Sequence, residues 1–345
     1  MVQILFAVLL IGTLNACTPG SADPIQKISG PTMGTLYHIS WLGSEDRVSV
    51  KNQVDQRLAE INKVMSTYDP ASELSLINQL TKWPIEQSVS AELANVLQLS
   101  LDVYQKSDGA FDITVGPLVN LWGFGPQGDP EKVPDKAQIQ AGLSRVGSDA
   151  ISLSDQQLTI TQARYLDLSA IAKGWAVDDI ARLLETQGIT NYLVEIGGEI
   201  RTSGQKADAT PWRIAIERPD VGLQQTAHRV FSPQGRALAT SGDYRNFFIK
   251  DGVRYSHTIS PKTGYPVAHE LASVTVVNNS AALADAWATA LNVAGPERGM
   301  QLADSLDLAV YMIVRDENDQ LNELTSTTFN LWFPDFLPEA STENE

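Results

Sequence analysis

Apolar residues recur at helical spacing in four stretches of this chain. Val50, Val54, Leu58, Ile61 and Met65 predict a helix over Val50–Met65. Leu93, Val96, Leu97, Leu101 and Tyr104 predict a second over Ser90–Ser107, stopped by Asp108-Gly109. A third spans Ala172–Gln187, with Gly188 where a left-handed residue closes a helix. The fourth, Leu283–Val293, ends at Gly295-Pro296. Shorter runs bounded by turn residues read as strands: Arg164–Leu168, Asn191–Ile200, Trp212–Glu217, Ala237–Thr240, Phe247–Lys250, Ser273–Val277 and Leu308–Val314. Strands crowd into the second half and do not alternate strictly with helices. That order predicts an α+β fold with mixed or antiparallel sheets and flanking helices, not a doubly wound parallel one. Phe124–Lys136, rich in Gly and Pro, reads as a surface loop between two lobes, and there is no internal repeat.

The first residues follow another pattern. The apolar run Ile4–Leu14 is shorter than the roughly 20 residues of a membrane-spanning helix, but it suits the core of a signal peptide. Leu14-Asn15-Ala16-Cys17 then resembles a bacterial lipobox. Residues 1–16 therefore read as a lipoprotein signal peptide, Cys17 as the lipidated residue, and residues 17–27 as a polar tether. A lipid anchor places the protein on a bacterial membrane, with its folded part facing the periplasm or the cell exterior. Residues 28–335 read as the domain and 336–345 as an acidic tail.

Composition narrows the chemistry. Cys17 is the only cysteine, which removes disulfides, cysteine-ligated metals and a catalytic thiol. A net charge of −16 disfavours nucleic acid as a partner. The four histidines, His38, His228, His257 and His269, form no pair with metal-ligand spacing. The chain has no G-x-S-x-G, no P-loop and no G-x-G-x-x-G after a strand.

Asp285 and Thr289 interrupt the fourth apolar run and share one helix face. Such a pair fits a wet face, a threonine bonded back to the previous turn, or a hard-cation site, since Mg²⁺ takes one or two carboxylates with phosphates and waters. Four other stretches join polar residues to turn glycines: Ala110–Pro117, Asp167–Gly174, Glu195–Glu199 and Ser256–Gly264. In the second, a strand enters a helix whose first N–H groups favour an anion, and Lys173 adds positive charge. Singly, these also read as a helix cap, a surface lysine, a tight turn and a satisfied loop histidine.

Taken together, AFDITVGPLVNLWGFG, LDLSAIAKGWAVD, VEIGGEI, ATSGDYRNFF, SHTISPKTG and DAWATAL resemble, in order, the motifs of the ApbE-like family, the FAD:protein FMN transferases. Gly30-Pro31-Thr32-Met33-Gly34-Thr35 is similar to that family's opening motif, and the resemblance runs from Ile28 to Phe333. It implies an ApbE-like fold with the active site in a cleft between lobes. It also implies a Mg²⁺-dependent enzyme that moves the FMN half of FAD onto a threonine or serine hydroxyl of a protein and releases AMP. The implied acceptors are subunits of membrane redox complexes. Implied FAD contacts are Met33, Tyr68, Ala110, Phe111, Asp112, Asp167, Lys173 and Ile259; implied metal ligands are Asp285, Thr289 and the carbonyl of Ala170. His257 is the expected base for the acceptor hydroxyl, with Asp285 its rival, and Tyr68 is expected to stack on a flavin or adenine ring with help from Phe111 or Trp122. An FAD pyrophosphatase and a non-catalytic, lipid-anchored flavin-binding protein are the alternative readings. Three positions depart from the family's pattern: Ala288, where some relatives carry a second carboxylate, Glu199, where Asp is frequent, and Ser260, where many carry Asp.

Overall fold

The computed structural model describes residues 25–126, 128, 132–219, 226–242 and 246–336. Cys17, the signal peptide and nearly all of the acidic tail lie outside the described residues. Strands β1 (Ile25–Thr32) and β2 (Thr35–Leu42) form a hairpin around Met33-Gly34. Both turn residues have positive φ, 48° and 72°, the handedness that matches the twist of two flanking strands. Ile25 already pairs with Leu42, so residues 25–27, which the sequence assigned to the tether, belong to β1.

Helix α1 (Arg47–Met65) is capped by the Asp46 side chain and buries all five residues of its predicted stripe. There follow α2 (Glu73–Asn78), β3 (Ile85–Ser88), α3 (Ala91–Lys106), α4 (Gly116–Leu121), α5 (Lys136–Leu143), β4 (Ile151–Ser154), β5 (Gln157–Ile160) and α6 (Ala172–Thr186). The second half runs β6 (Tyr192–Ile196), β7 (Glu199–Ser203), β8 (Ile214–Glu217), β9 (Ala227–Phe231), β10 (Ala237–Gly242), β11 (Phe247–Lys250), β12 (Val253–Ser256), β13 (Leu271–Asn278), α7 (Ala281–Ser305), β14 (Ala309–Arg315), β15 (Leu321–Thr325) and α8 (Thr327–Trp332).

The frame is an eight-stranded sheet in the order β1-β2-β6-β7-β10-β13-β14-β15, and every pairing among the described strands is antiparallel. The α+β class holds, with antiparallel rather than mixed sheet. Strand alternation divides the core between the two faces. Ala239, Val274, Val276, Val310 and Met312 face the helices α1, α3, α6 and α7. Leu238, Val277, Tyr311 and Ile313 face β8, β9 and α8. A small third core of Leu118, Trp122, Ile139 and Ile259 is covered by Phe248 and Tyr255 of the β11–β12 ribbon.

Three predicted elements differ in instructive ways. Arg164–Leu168 forms no strand. The Asn78 side chain takes both polar groups of the Leu166 backbone, at 2.7 and 2.8 Å, and Asp167 N–H donates to the Ile113 carbonyl. A side-chain amide thus replaces a neighbouring strand. Asn191–Ile200 is two strands, because Gly197-Gly198 reverses the chain between β6 and β7. The fourth helix resumes after a kink at Gly295 (φ 77°, ψ 176°) and runs on to Ser305.

Candidate active site

The site gathers where the β1–β2 and β6–β7 turns meet the start of α6 and the first turns of α7. Gly174 sits at the crossing of the two helices. A Cβ there would fall 2.2 Å from the Ala281 carbonyl oxygen and 2.8 Å from the Asp285 Cβ. Only glycine allows that approach, and it lets the Gly174 N–H donate to Asp285 Oδ2 at 3.1 Å. The other carboxylate oxygen accepts no hydrogen bond from a described residue.

One residue before Gly174, Lys173 turns toward the sheet, where its Nζ stands 2.8 Å from Glu199 Oε1. Gly197 (φ 63°) clears its path: a Cβ there would lie 2.8 Å from Thr35 and 3.3 Å from the Lys173 stem. Glu195 ties the turn down, accepting from Gly198 N–H at 2.7 Å and meeting His38 Nδ1 at 2.8 Å. Glu199 is 4% exposed, and its Oε2 is buried with no hydrogen-bond partner.

These charges, two buried carboxylates and a partly exposed lysine, shift one another. Burial pushes the Glu199 carboxyl up to about 7, with Lys173 opposing and Asp285 reinforcing. Burial also raises Asp285, against Lys173 and the Gly174 N–H. For Lys173 burial works against the ammonium, but Asp285 and Glu199 outweigh it and hold the pKa above the ordinary lysine value. A cation held in its charged form beside two raised carboxylates is poised for an anionic or metal-bound ligand.

The other predicted residues form two flanking groups. Asp112 is buried, and its Oδ1 accepts from Thr114 N–H (2.8 Å), Thr114 Oγ1 (2.6 Å) and Ser148 Oγ (2.6 Å). Its carboxylate therefore organises the loop that carries Ala110 and Phe111, both buried. Asp167 caps the turn before α6 through Ser169 N–H at 2.9 Å, and Ala170 lies in that turn. The negative charge of Asp167 acts, after burial, to raise the Tyr68 phenol, and Tyr68 is 68% exposed. Of the expected ring-stacking residues Tyr68 alone is open, because Phe111 and Trp122 are at most 2% exposed. Trp122 instead donates to the Gly264 carbonyl at 2.8 Å and contacts Tyr255 and Tyr265.

His257 ends the ribbon, and its Nδ1 lies 3.0 Å from the Asn246 carbonyl. A carbonyl only accepts, so Nδ1 carries the proton and the basic lone pair of the neutral ring is on Nε2. Ile259 is buried in the third core. Lys262, in the same segment, reaches Asp108 just before Ala110 at 2.6 Å, which joins the two flanking groups.

Among the described residues no three His, Cys, Asp or Glu side chains are placed to hold a metal ion. A hard cation that draws ligands from phosphate and water needs fewer. Asp285 with its unbonded oxygen and Thr289, four residues on along α7, supply the right donor type. The buried role of Glu199 has only a weak signal in the sequence, a charge directly after Gly-Gly.

Fold and site together define an antiparallel-sheet protein with a lysine at a helix start facing two buried carboxylates. Comparison with known proteins sharpens that class. The ApbE family profile matches residues 33–312. The FAD:protein FMN transferase of Vibrio cholerae serotype O1 is 44% identical over 316 residues, covering 90% of this chain and 94% of its own. That of Haemophilus influenzae is 40% identical, covering 94% and 96%. The solved flavin transferase ApbE from V. cholerae superposes with a TM-score of 0.82 at 43% identity, over 89% of this chain and 99% of that one. The apo flavinyl transferase ApbE of Pseudomonas stutzeri gives 0.83 at 37% identity, over 90% and 97%. The chain belongs to the ApbE family.

Proposed function

We propose that this protein transfers the FMN moiety of FAD to a threonine or serine hydroxyl of a partner protein and releases AMP. The Lys173–Glu199–Asp285 group at the crossing of α6 and α7, two buried carboxylates beside a partly exposed lysine, carries this reading. Relatives over nearly the whole chain that are named for this activity support it. Mg²⁺ would be held by Asp285, Thr289 and the Ala170 carbonyl. When bound, it would offset charge developing on the pyrophosphate oxygens.

The chain's own residues then have separate tasks. Lys173, kept protonated by its two carboxylates, supplies fixed positive charge for a phosphate. Tyr68, open to solvent, offers a face for a ring of FAD. His257 takes the proton of the acceptor hydroxyl through Nε2, with its ring oriented by Asn246. The hydroxyl oxygen bonds to the FMN-side phosphorus as the bond to the AMP phosphate breaks. Subunits of membrane redox complexes are the proposed acceptors. Cys17 would anchor the enzyme by lipid on the outer side of a bacterial membrane, in reach of such subunits.

Intact mass of a candidate redox-complex subunit tests this, after incubation with the protein, FAD and Mg²⁺. A gain of one FMN, lost on chelation, is the expected result. Release of AMP without that gain would point to FAD hydrolysis. Neither product would leave flavin binding alone.

A further inference from the structure

Asp285, Thr289 and Asn292 lie on one face of α7, spaced four and three residues apart. The first two belong to the proposed metal site; the third does not. Asn292 is fully buried, and its Nδ2 donates to Ser241 Oγ at 2.9 Å and, at the long limit, to Thr258 Oγ1 at 3.4 Å. Ser241 is in the last turn-ward pair of β10, and Thr258 directly follows His257. These two residues bracket the β11–β12 ribbon. One amide therefore pins both ends of the ribbon to the helix that carries Asp285 and Thr289.

The rest of the local geometry holds that amide still. Pro296, four residues on, has no N–H for the Asn292 carbonyl, and His269 Nε2 fills the place at 2.6 Å. Gly295 makes room for the imidazole: a Cβ there would stand 3.3 Å from His269 Cδ2. On the far side the Asn246 carbonyl accepts both the His257 backbone N–H and its Nδ1–H, each at 3.0 Å. The arrangement leaves Asn292 Oδ1 and His269 Nδ1 buried with no hydrogen-bond partner. Unpartnered buried polar atoms destabilise a fold, and Leu291 and Trp287 show that this helix accepts apolar residues freely. As mere packing, Asn292 is a poor choice.

We propose that Asn292 is a positioning residue for flavin transfer: through Thr258 it sets the placement of His257 relative to the Asp285–Thr289 face of α7. This rests on the reading of His257 as the base. A catalytic group displaced by about 1 Å can cost on the order of 10²-fold in rate.

The test uses the full chain and, as acceptor, a redox-complex subunit cloned from the same genome. Single-turnover FMN transfer is measured by intact mass for the wild type, Asn292→Ala, His257→Ala and the double variant, with FAD affinity followed by flavin fluorescence. Asn292→Ala is expected to slow transfer by roughly 10- to 100-fold with FAD affinity unchanged. The double variant is expected to be no slower than His257→Ala alone, because both changes remove one function. Losses that multiply would overturn the positioning role and leave His257 as the base. A His257→Ala protein that transfers at the wild-type rate would overturn both. If Asn292→Ala does not fold, Thr258→Val cuts the same link from the other end at almost constant shape. Thr258→Val should show the same lack of additivity with His257→Ala, and a wild-type rate in Thr258→Val would sink the proposal.

Discussion

Glu199 and Glu323 sit on opposite faces of the same sheet, and each side chain is 6% exposed. Their surroundings differ. Glu323 on β15 receives Arg229 through Nε at 3.0 Å and Nη2 at 3.1 Å, and His228 Nε2 stands 2.7 Å away. The Arg229 guanidinium in turn lies 5.8 Å from the Phe336 ring, within an aromatic cluster that includes Phe231 and Phe329. Glu199 has one lysine on one oxygen, none on the other, and a second raised carboxylate nearby. Burial is common to both. What differs is the carboxylate itself: Arg229 engages both Glu323 oxygens, whereas one Glu199 oxygen is left open.

The sharpest way to break that contrast is at Asp285, whose second oxygen is also unbonded. Asp285→Ala should lower metal-dependent transfer by about 10²–10³-fold, read as FMN mass gained by the acceptor over a Mg²⁺ titration. Wild-type turnover would remove Asp285 from the site. His257→Ala should cost a comparable but more variable amount, about 10²–10⁴-fold. Partial recovery with added imidazole would identify the lost group as a base.

The structural carboxylate predicts the opposite. Glu323→Ala strands Arg229 and His228 in a buried cluster and should destabilise the fold by about 3–5 kcal/mol. Transfer per folded molecule should stay unchanged. Urea unfolding and activity, measured together, check both halves; lost activity at unchanged stability would erase the distinction drawn between the two faces.

The smallest effect is in the pH dependence of stability without added metal. Glu199 is raised from the ordinary 4.5 to about 7 by burial. Between those values the folded protein keeps a proton that the unfolded chain has released. This residue's contribution is therefore full below about pH 4.5 and is lost as pH rises through about 7. Glu199→Gln should flatten that fall in melting temperature between about pH 4.5 and about pH 7. An unchanged slope would assign the fall to other groups, Asp285 first.

Much of this molecule is legible along the chain. The stripe Val50-Val54-Leu58-Ile61-Met65 is buried as its spacing requires, and α3, α6 and the first part of α7 follow from the same period. The β1–β2 hairpin is harder to see, because Gly30 and Pro31 interrupt its alternation and β2 finds its second partner only in the distant β6. The Arg164–Leu168 run has strand composition but no strand partner, since Asn78, 88 residues earlier, satisfies its backbone. Ordered motifs place Lys173, Asp285 and His257 in one family pattern, yet they say nothing of their charge states.

By itself, then, the sequence determined the main helices, the α+β class and the order of the motifs, because helical and strand periods are read over a few neighbouring residues. The tertiary structure alone decided which polar groups are spent and which are left open. Ser148 closes the Asp112 carboxylate from 36 residues away, Gly174 holds one Asp285 oxygen across 111, and Asn292 reaches Ser241 across 51. Hydrogen bonding and ionisation depend on what lies within a few ångströms, and here the fold brings those neighbours from distant parts of the chain.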